Sequence, residues 1–273
     1  VLRPSVSPYN SPVVLARKAD GTWRFCVDYR QVNAATIRDA YQLPRPNDLV
    51  AQLGGASIFS VLDLASAFWQ VRLAEEAKQF TAFSLLSGHW EFEMVPMGLT
   101  NSPPWMQRSL EGALGDILYR GALTYIDDII VYGRTFDEHY ARLEVVLTRL
   151  RDYGFSTRPD KCKFGYEEVK FLGHLVGKDG LRPSLKNLDK IRDCKLPTDN
   201  KQLESCLALF SYYRRFIKNY ADISRPLTEC LTAAQRRIEA AGRNPRRGKI
   251  DLVLSAREAE HFERLKAALC APG

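Results

Sequence analysis

Asp63 closes an apolar run, Ser57-Ile-Phe-Ser-Val-Leu-Asp63-Leu64, and two adjacent acids, Asp127 and Asp128, interrupt the β-branched and aromatic run from Leu123 to Tyr132. Ionised carboxylates in apolar surroundings are costly unless something cationic offsets them. A pair of divalent metals does so economically. In two-metal phosphoryl transfer the ions sit roughly 3.5–4 Å apart, one activating the attacking hydroxyl and the other steadying the leaving oxygen. Hard Mg²⁺ favours carboxylate oxygens, backbone carbonyls and substrate phosphates. Successive strand residues point to opposite faces, so Asp127 is expected to be the stronger ligand and Asp128 the weaker. The plain alternative is a solvated hairpin tip with Asp63 as an ordinary strand-end acid.

The elements around these acids must hold them together. Val13 to Lys18 and Thr22 to Tyr29 are β-prone runs joined by Ala19-Asp20-Gly21, a hairpin signal, and they carry the cations Arg17, Lys18 and Arg24. After Pro44 and Pro46 comes the strand ending at Asp63. Gln79 to Leu86 and Trp90 to Val95 form a second expected hairpin through Ser87-Gly88, followed by a Gly98 to Pro103 turn and a helix through Leu118. Gly121 and Gly133 bracket a strand-turn-strand that bears Asp127 and Asp128. Thr135-x-x-Glu138 is a capping box, and Leu143, Val146, Leu147 and Leu150 keep helical spacing up to Gly154. Past Pro183 the pattern predicts helices over Ser184 to Cys194, Thr198 to Tyr220 and Ile223 to Ala234. The basic stretch Arg236 to Lys249 is expected to be an exposed linker, and an amphipathic helix over Ala256 to Leu269 follows.

The chain has 273 residues, 45% of them hydrophobic, enough for one large domain or two to three subdomains. Its net charge of +7 suits a polyanionic partner, though such an excess is also common in chains that bind none. The six scattered cysteines show no zinc-ligand spacing and are expected to be reduced intracellular thiols. No apolar run approaches the roughly 20 residues that span a bilayer. Val1 opens a Pro/Ser-rich stretch without initiator Met or signal pattern, so a piece of a longer chain is expected.

Seven motifs stand in order: Ser7-Pro-Tyr-Asn-Ser-Pro-Val-Val14, Trp23-Arg-Phe-Cys-Val-Asp-Tyr-Arg30, Leu62-Asp-Leu64, Pro96-Met-Gly-Leu-Thr-Asn101, Tyr125-Ile-Asp-Asp128, Phe171-Leu-Gly-His174 and Tyr212-Tyr-Arg-Arg-Phe-Ile217. Together they closely resemble the reverse transcriptase of gypsy-type LTR retrotransposons, and more distantly the retroviral enzymes. The resemblance implies an α+β right-hand polymerase with fingers, palm (antiparallel sheet plus helices) and helical thumb. Residues 1–95 would be fingers with the first part of the palm, 96–182 the palm with catalytic hairpin and primer grip, and 183–235 the thumb. Residues 236–273 would be a basic linker and the start of a connection region.

The same resemblance implies RNA-directed and DNA-directed DNA synthesis from dNTPs on a primed RNA or DNA template. It assigns Asp63, Asp127 and Asp128, with the Leu64 carbonyl, as ligands of two Mg²⁺ ions, with Mn²⁺ as a substitute. Lys161 lies in the segment whose family lysine protonates pyrophosphate, or is an exposed structural lysine. Lys18, Arg24, Met97 and Gly98 would bind the nucleotide, and Phe68 would exclude a 2′-hydroxyl by bulk or simply pack in the core. Gln107, Tyr125, the grip residues Phe171, Leu172, Gly173 and His174, and the thumb cations Arg214 and Arg215 would meet primer and template. Ribonuclease H, protease and integrase are expected on the parent polyprotein, no membrane is involved, and the replication cycle implies an intracellular, cytoplasmic virus-like particle. Met97, Pro104, Trp105 and Ala208 depart from the usual pattern. A decayed or co-opted copy that only binds nucleic acid is the rival reading, and an RNA-templated RNA polymerase is disfavoured by bulky Phe68.

Overall fold

The computed structural model describes residues 1–17, 21–245 and 248–270. The chain divides into two compact units, Val1–Leu181 and Arg182–Gly273.

The first unit opens with β1 (Leu2–Pro4), the ribbon β2 (Val13–Arg17) and β3 (Trp23–Val27), and helices α1 (Arg30–Ala35) and α2 (Pro46–Ala51). The strand β4 (Ile58–Asp63) follows, then the short α3 (Glu75–Lys78), β5 (Phe83–Leu85) and β6 (Gly88–Phe92). The expected second hairpin is therefore shorter than its apolar pattern, because Gln79–Thr81 winds into a 3₁₀ turn instead. Next come α4 (Ser102–Leu114), β7 (Ala122–Tyr125), β8 (Asp128–Gly133), α5 (Phe136–Asp152), β9 (Lys163–Tyr166), β10 (Glu168–Phe171) and β11 (His174–Gly177), and β12 (Gly180–Pro183) carries the chain from the first unit into the second.

The sheet that matters for function runs β7-β8-β4-β9, with every pair antiparallel. Alternation along its strands builds two cores. Leu62, Ile129 and Val131 pack with Met106 and Leu110 of α4 and Val146 and Leu150 of α5. Phe59, Ile130 and Tyr132 pack on the opposite side with Leu49 and Val50 of α2 and Val169, Phe171 and Val176 of the β10-β11-β12 sheet. Asp63 and Asp128 fall in step with Phe59 and Ile130, so they belong to the second face.

The cap of α5 forms as its sequence predicts at one end: the Thr135 hydroxyl accepts from the Glu138 amide at 3.2 Å. The Glu138 carboxylate returns to the amide of Arg134, one residue before the cap, at 2.7 Å.

In the second unit, α6 (Leu185–Arg192), α7 (Asn200–Tyr212), α8 (Tyr220–Ala240) and α9 (Ala256–Cys270) enclose Leu203, Phe210, Tyr213, Leu227, Phe262 and Leu265. The single helix expected from Thr198 to Tyr220 is broken. Arg214–Phe216 tightens into a 3₁₀ turn and Asn219 adopts a left-handed φ of 59°, a conformation asparagine tolerates better than most side chains. The stretch expected as a linker is also more ordered than its charge suggests, since α8 continues to Ala240. Asn200 bonds the Gly248 carbonyl at 3.1 Å and the Ile250 amide at 2.9 Å, and Lys249 pairs with Asp199 at 3.1 Å.

Candidate active site

β4 and β8 pair in a register that sets Asp63 directly opposite Asp128. Opposed residues of an antiparallel pair have Cβ atoms about 4.5–5.5 Å apart on one face. Strand register therefore makes Asp128 the cross-strand partner of Asp63. Asp127 occupies the two-residue loop that joins Tyr125 to Asp128.

That loop turns on Ile126, whose φ is +60°. Two-residue hairpins with a positive φ at the first loop position favour glycine there, and a β-branched residue persists only where its surroundings impose the conformation. Gln107 of α4 supplies the restraint. Its Oε1 accepts from the Ile126 amide at 2.6 Å, and its Nε2 donates to the Thr124 carbonyl at 3.2 Å and to Glu111 at 2.7 Å. Gln107, expected along the template, has no exposed surface, and its amide is committed to the backbone of Thr124 and Ile126.

The carboxylates perturb one another. Asp127 and Asp128 are exposed at the loop and strand end, yet the protein mass around Asp128 displaces enough water to push its carboxyl up to about 6, with the charges of Asp127 and then Asp63 adding to it. Asp127 is raised too, first by the same displacement of water and further by Asp63. No cation among the described residues counters either shift. A set of mutually repelling, acceptor-only oxygens fits hard divalent cations. Among the described residues no three His, Cys, Asp or Glu side chains are already gathered around one point.

The backbone beyond Asp63 is pinned from the other side. The Arg158 amide donates to the Asp63 carbonyl at 2.8 Å, and the Ala65 amide donates to the Ser156 carbonyl at 2.9 Å. This bridge leaves the Leu64 carbonyl pointing away from Thr157, its partner residue. Gln70 locks the turn by bonding the Ala65 carbonyl at 2.6 Å and the Ser156 amide at 2.6 Å. Lys161 is exposed on the 3₁₀ turn that continues this pinned segment.

Phe68 sits on the 3₁₀ turn Ala67–Gln70, half-buried against the Leu62 and Met106 cluster. Met97 is exposed beside Gly98, whose φ is +101°. Asn33 of α1 clasps that turn, donating to the Gly98 carbonyl at 2.8 Å and accepting from the Thr100 amide at 2.8 Å. Arg24 is exposed on β3 opposite Ala16, and Lys18 lies outside the described residues.

Tyr125 ends β7 opposite Asp128 and packs on the second core. The Phe171 to His174 motif makes a two-residue turn between β10 and β11, with positive φ at Leu172 (44°) and Gly173 (79°). Phe171 (2% exposed) and His174 (0%) are internal, so of the four motif residues Leu172 and Gly173 are the ones that reach the surface. Arg214 and Arg215 belong to the second unit and are exposed on the 3₁₀ break rather than on a helix face.

Sequence reasoning missed Asn33, Glu111 and Ile126. A hint existed for Ile126, because a two-residue loop between β runs demands a positive φ somewhere, and no glycine is present to take it.

A helix-backed antiparallel sheet with carboxylates on adjacent strand ends and in the joining loop is the palm arrangement of template-directed polymerases. Residues 16–176 match the family model described as reverse transcriptase (RNA-dependent DNA polymerase), and the chain belongs to that family. It is 38% identical over 98% of its length to a Retrovirus-related Pol polyprotein from transposon 297 of Drosophila melanogaster, covering 25% of that protein. The Pol polyprotein from transposon gypsy of the same fly is 35% identical over 85% of the chain, which covers 23% of that relative. The chain thus spans about a quarter of these relatives. Among solved structures, a foamy viral protease-reverse transcriptase in complex with double-stranded DNA matches with a TM-score of 0.85 and 27% identity, over 99% of this chain and 45% of that one. A second, in complex with an RNA/DNA hybrid, has a TM-score of 0.82 at 27% identity, over 98% of this chain and 34% of that one. Among the described residues no helix is long and apolar enough to cross a membrane.

Proposed function

We propose that this chain is the polymerase part of a retrotransposon Pol polyprotein and carries out RNA-directed and DNA-directed DNA synthesis. The observation that carries the reading is the Asp63–Asp128 pairing with Asp127 in the adjoining loop. A nucleic-acid-binding module has no use for three opposed carboxylates, which repel the phosphates it must hold.

Two divalent cations, Mg²⁺ or Mn²⁺, held by Asp63, Asp127, Asp128 and the Leu64 carbonyl, would supply activation of the primer 3′-hydroxyl and neutralisation of the departing pyrophosphate. The chain's own residues do the positioning. Gly98 and Met97 border the nucleotide, Phe68 meets its sugar, and Lys18, Arg24 and Lys161 attract its phosphates. The Leu172-Gly173 tip and the exposed Arg214 and Arg215 contact primer and template, Arg214 and Arg215 as phosphate-tracking cations. Residues 1–95, 96–182, 183–235 and 236–273 take the fingers, palm, thumb and linker roles, within a parent bearing protease, ribonuclease H and integrase in a cytoplasmic particle.

The test is primer extension on poly(rA)·oligo(dT) with Mg²⁺, comparing dTTP with UTP and wild type with Asp127→Asn. Extension with dTTP alone, lost in the variant, is expected. A folded wild-type protein that binds the duplex yet extends nothing would sink the reading.

A further inference from the structure

Between α1 and α2 the chain runs as a strap along α4. Asn101 donates to the Ile37 carbonyl at 2.9 Å and accepts from the Asp39 amide at 3.0 Å, and Arg108 pairs with Asp39 at 2.8 Å. The strap ends on Tyr41, whose backbone amide bonds Asp39 at 2.9 Å and whose ring lies 4.7 Å from the Arg108 guanidinium. Its hydroxyl donates to Glu111, and the other oxygen of that carboxylate accepts Nε2 of Gln107. Burial pushes the Tyr41 phenol up to about 12, so it remains a donor at any working pH.

The chain of bonds fixes which way the Gln107 amide points. Nε2 faces a carboxylate and a carbonyl, groups that only accept, so Oε1 must face the Ile126 N–H. Turning the amide over would set its oxygen against two acceptors and its NH₂ against a donor. With Glu111 present a flip sets the amide against two acceptors and a donor; without it one acceptor is gone, and the Thr124 carbonyl and the Ile126 N–H alone resist. Ile126 holds φ +60° and has no glycine's freedom to do so unaided, and Asp127 is the next residue.

We infer that Glu111 and Tyr41 are positioning residues for the catalytic loop: the strap, through Tyr41, Glu111 and Gln107, holds the Ile126 amide and thereby the place of Asp127. Neither side chain touches the reacting groups. The inference rests on the polymerase reading for its effect on turnover, though not for its effect on the loop.

Three variants test it: Glu111→Leu, which keeps bulk and helix propensity but removes both acceptors; Glu111→Gln, whose amide can still accept from Gln107 and donate to the Tyr41 oxygen; and Tyr41→Phe. Hydrogen exchange at the Ile126 amide, read without metal or nucleotide, is expected to quicken about tenfold in Glu111→Leu, less in Tyr41→Phe, and to stay near wild type in Glu111→Gln. Loss of free Mn²⁺ signal on titration, followed by electron paramagnetic resonance, should weaken in the same order. In primer extension, kcat should fall about tenfold for Glu111→Leu with KM for dTTP within about twofold, and Glu111→Gln should restore it. Unchanged exchange at Ile126 in Glu111→Leu would overturn the inference, as would a loss in Glu111→Gln as large as in Glu111→Leu. A wild-type protein that extends no primer would count against the polymerase reading alone, because exchange and Mn²⁺ binding are read without polymerisation.

Discussion

Asp63 and Asp128 face one another across the β4–β8 ladder, each at the strand end beside the loop that carries Asp127. Like charges directly opposed across a sheet destabilise it, and here the opposition is placed where a cation would reverse its sign.

Metal-free protein should therefore be stabilised by Asp128→Asn at neutral pH. The folded carboxyl titrates at about 6 against an ordinary 3.8, so folding favours its protonated form. The ionised group subtracts stability above pH 6 and subtracts none below the ordinary value. In chelator, the variant's Tm should exceed that of wild type at pH 7.5, and the gap should close as the pH falls from 6 towards 4. Added Mg²⁺ or Mn²⁺ should raise wild type more than the variant. Equal melting at pH 7.5 would mean that the opposition is already screened.

How much of this was legible beforehand depends on what kind of contact makes it. The two acids between Gly121 and Gly133 announced a hairpin, because local sequence decides turn and strand. Their register against Asp63 did not show, since strand pairing over 65 residues is fixed by packing on both faces. Gln107 stood out by resemblance, yet its role is set by a backbone amide 19 residues away, a partner that no side-chain pattern encodes. The break after α7 was hidden for a similar reason. Tyr213 (0% exposed) and Ile217 (4%) both pack into the helical core, so the apolar pattern continues where the helix does not.

Phe68→Val should separate sugar selection from packing. The ring is half-buried against Leu62 and Met106, and shortening it should lower stability by about 1–3 kcal/mol in either case. If the ring also lies under the sugar, the preference for dTTP over UTP should drop about tenfold or more. Steady-state incorporation of the two nucleotides, with Tm measured alongside, distinguishes the roles. A lower Tm with unchanged preference would return Phe68 to the core.

Gly98→Ala should weaken nucleotide binding through the backbone rather than through crowding. An added Cβ would have room, its nearest contact being Tyr29 Cδ2 at 3.5 Å, but φ +101° strains any L side chain. The strain is worth about 1–3 kcal/mol. Asn33 grips both sides of the turn, so the strain has little room to relax. KM for dTTP should rise while primer-template affinity stays put. An unchanged KM with normal stability would show that the turn can give way.

Two further glycines should respond with opposite signs. At Gly133 a Cβ would stand 2.7 Å from the His139 amide nitrogen and 2.8 Å from its Cα, backbone atoms that cannot swing aside. His139 is itself held, its Nε2 lying 2.9 Å from the Ser60 hydroxyl in the core of β4. Gly133→Ala must therefore push α5 off β8, costing about 1–3 kcal/mol or more. Gly112 lies inside α4 with nothing within 4 Å of an added Cβ, and Gly112→Ala should stabilise by about 0.5–1 kcal/mol through helix propensity. Urea unfolding of the two variants beside wild type gives the comparison. A Gly133→Ala protein as stable as wild type would mean that the first turn of α5 can move away from β8, and the strand end opposite the carboxylates would then be far softer than this packing implies.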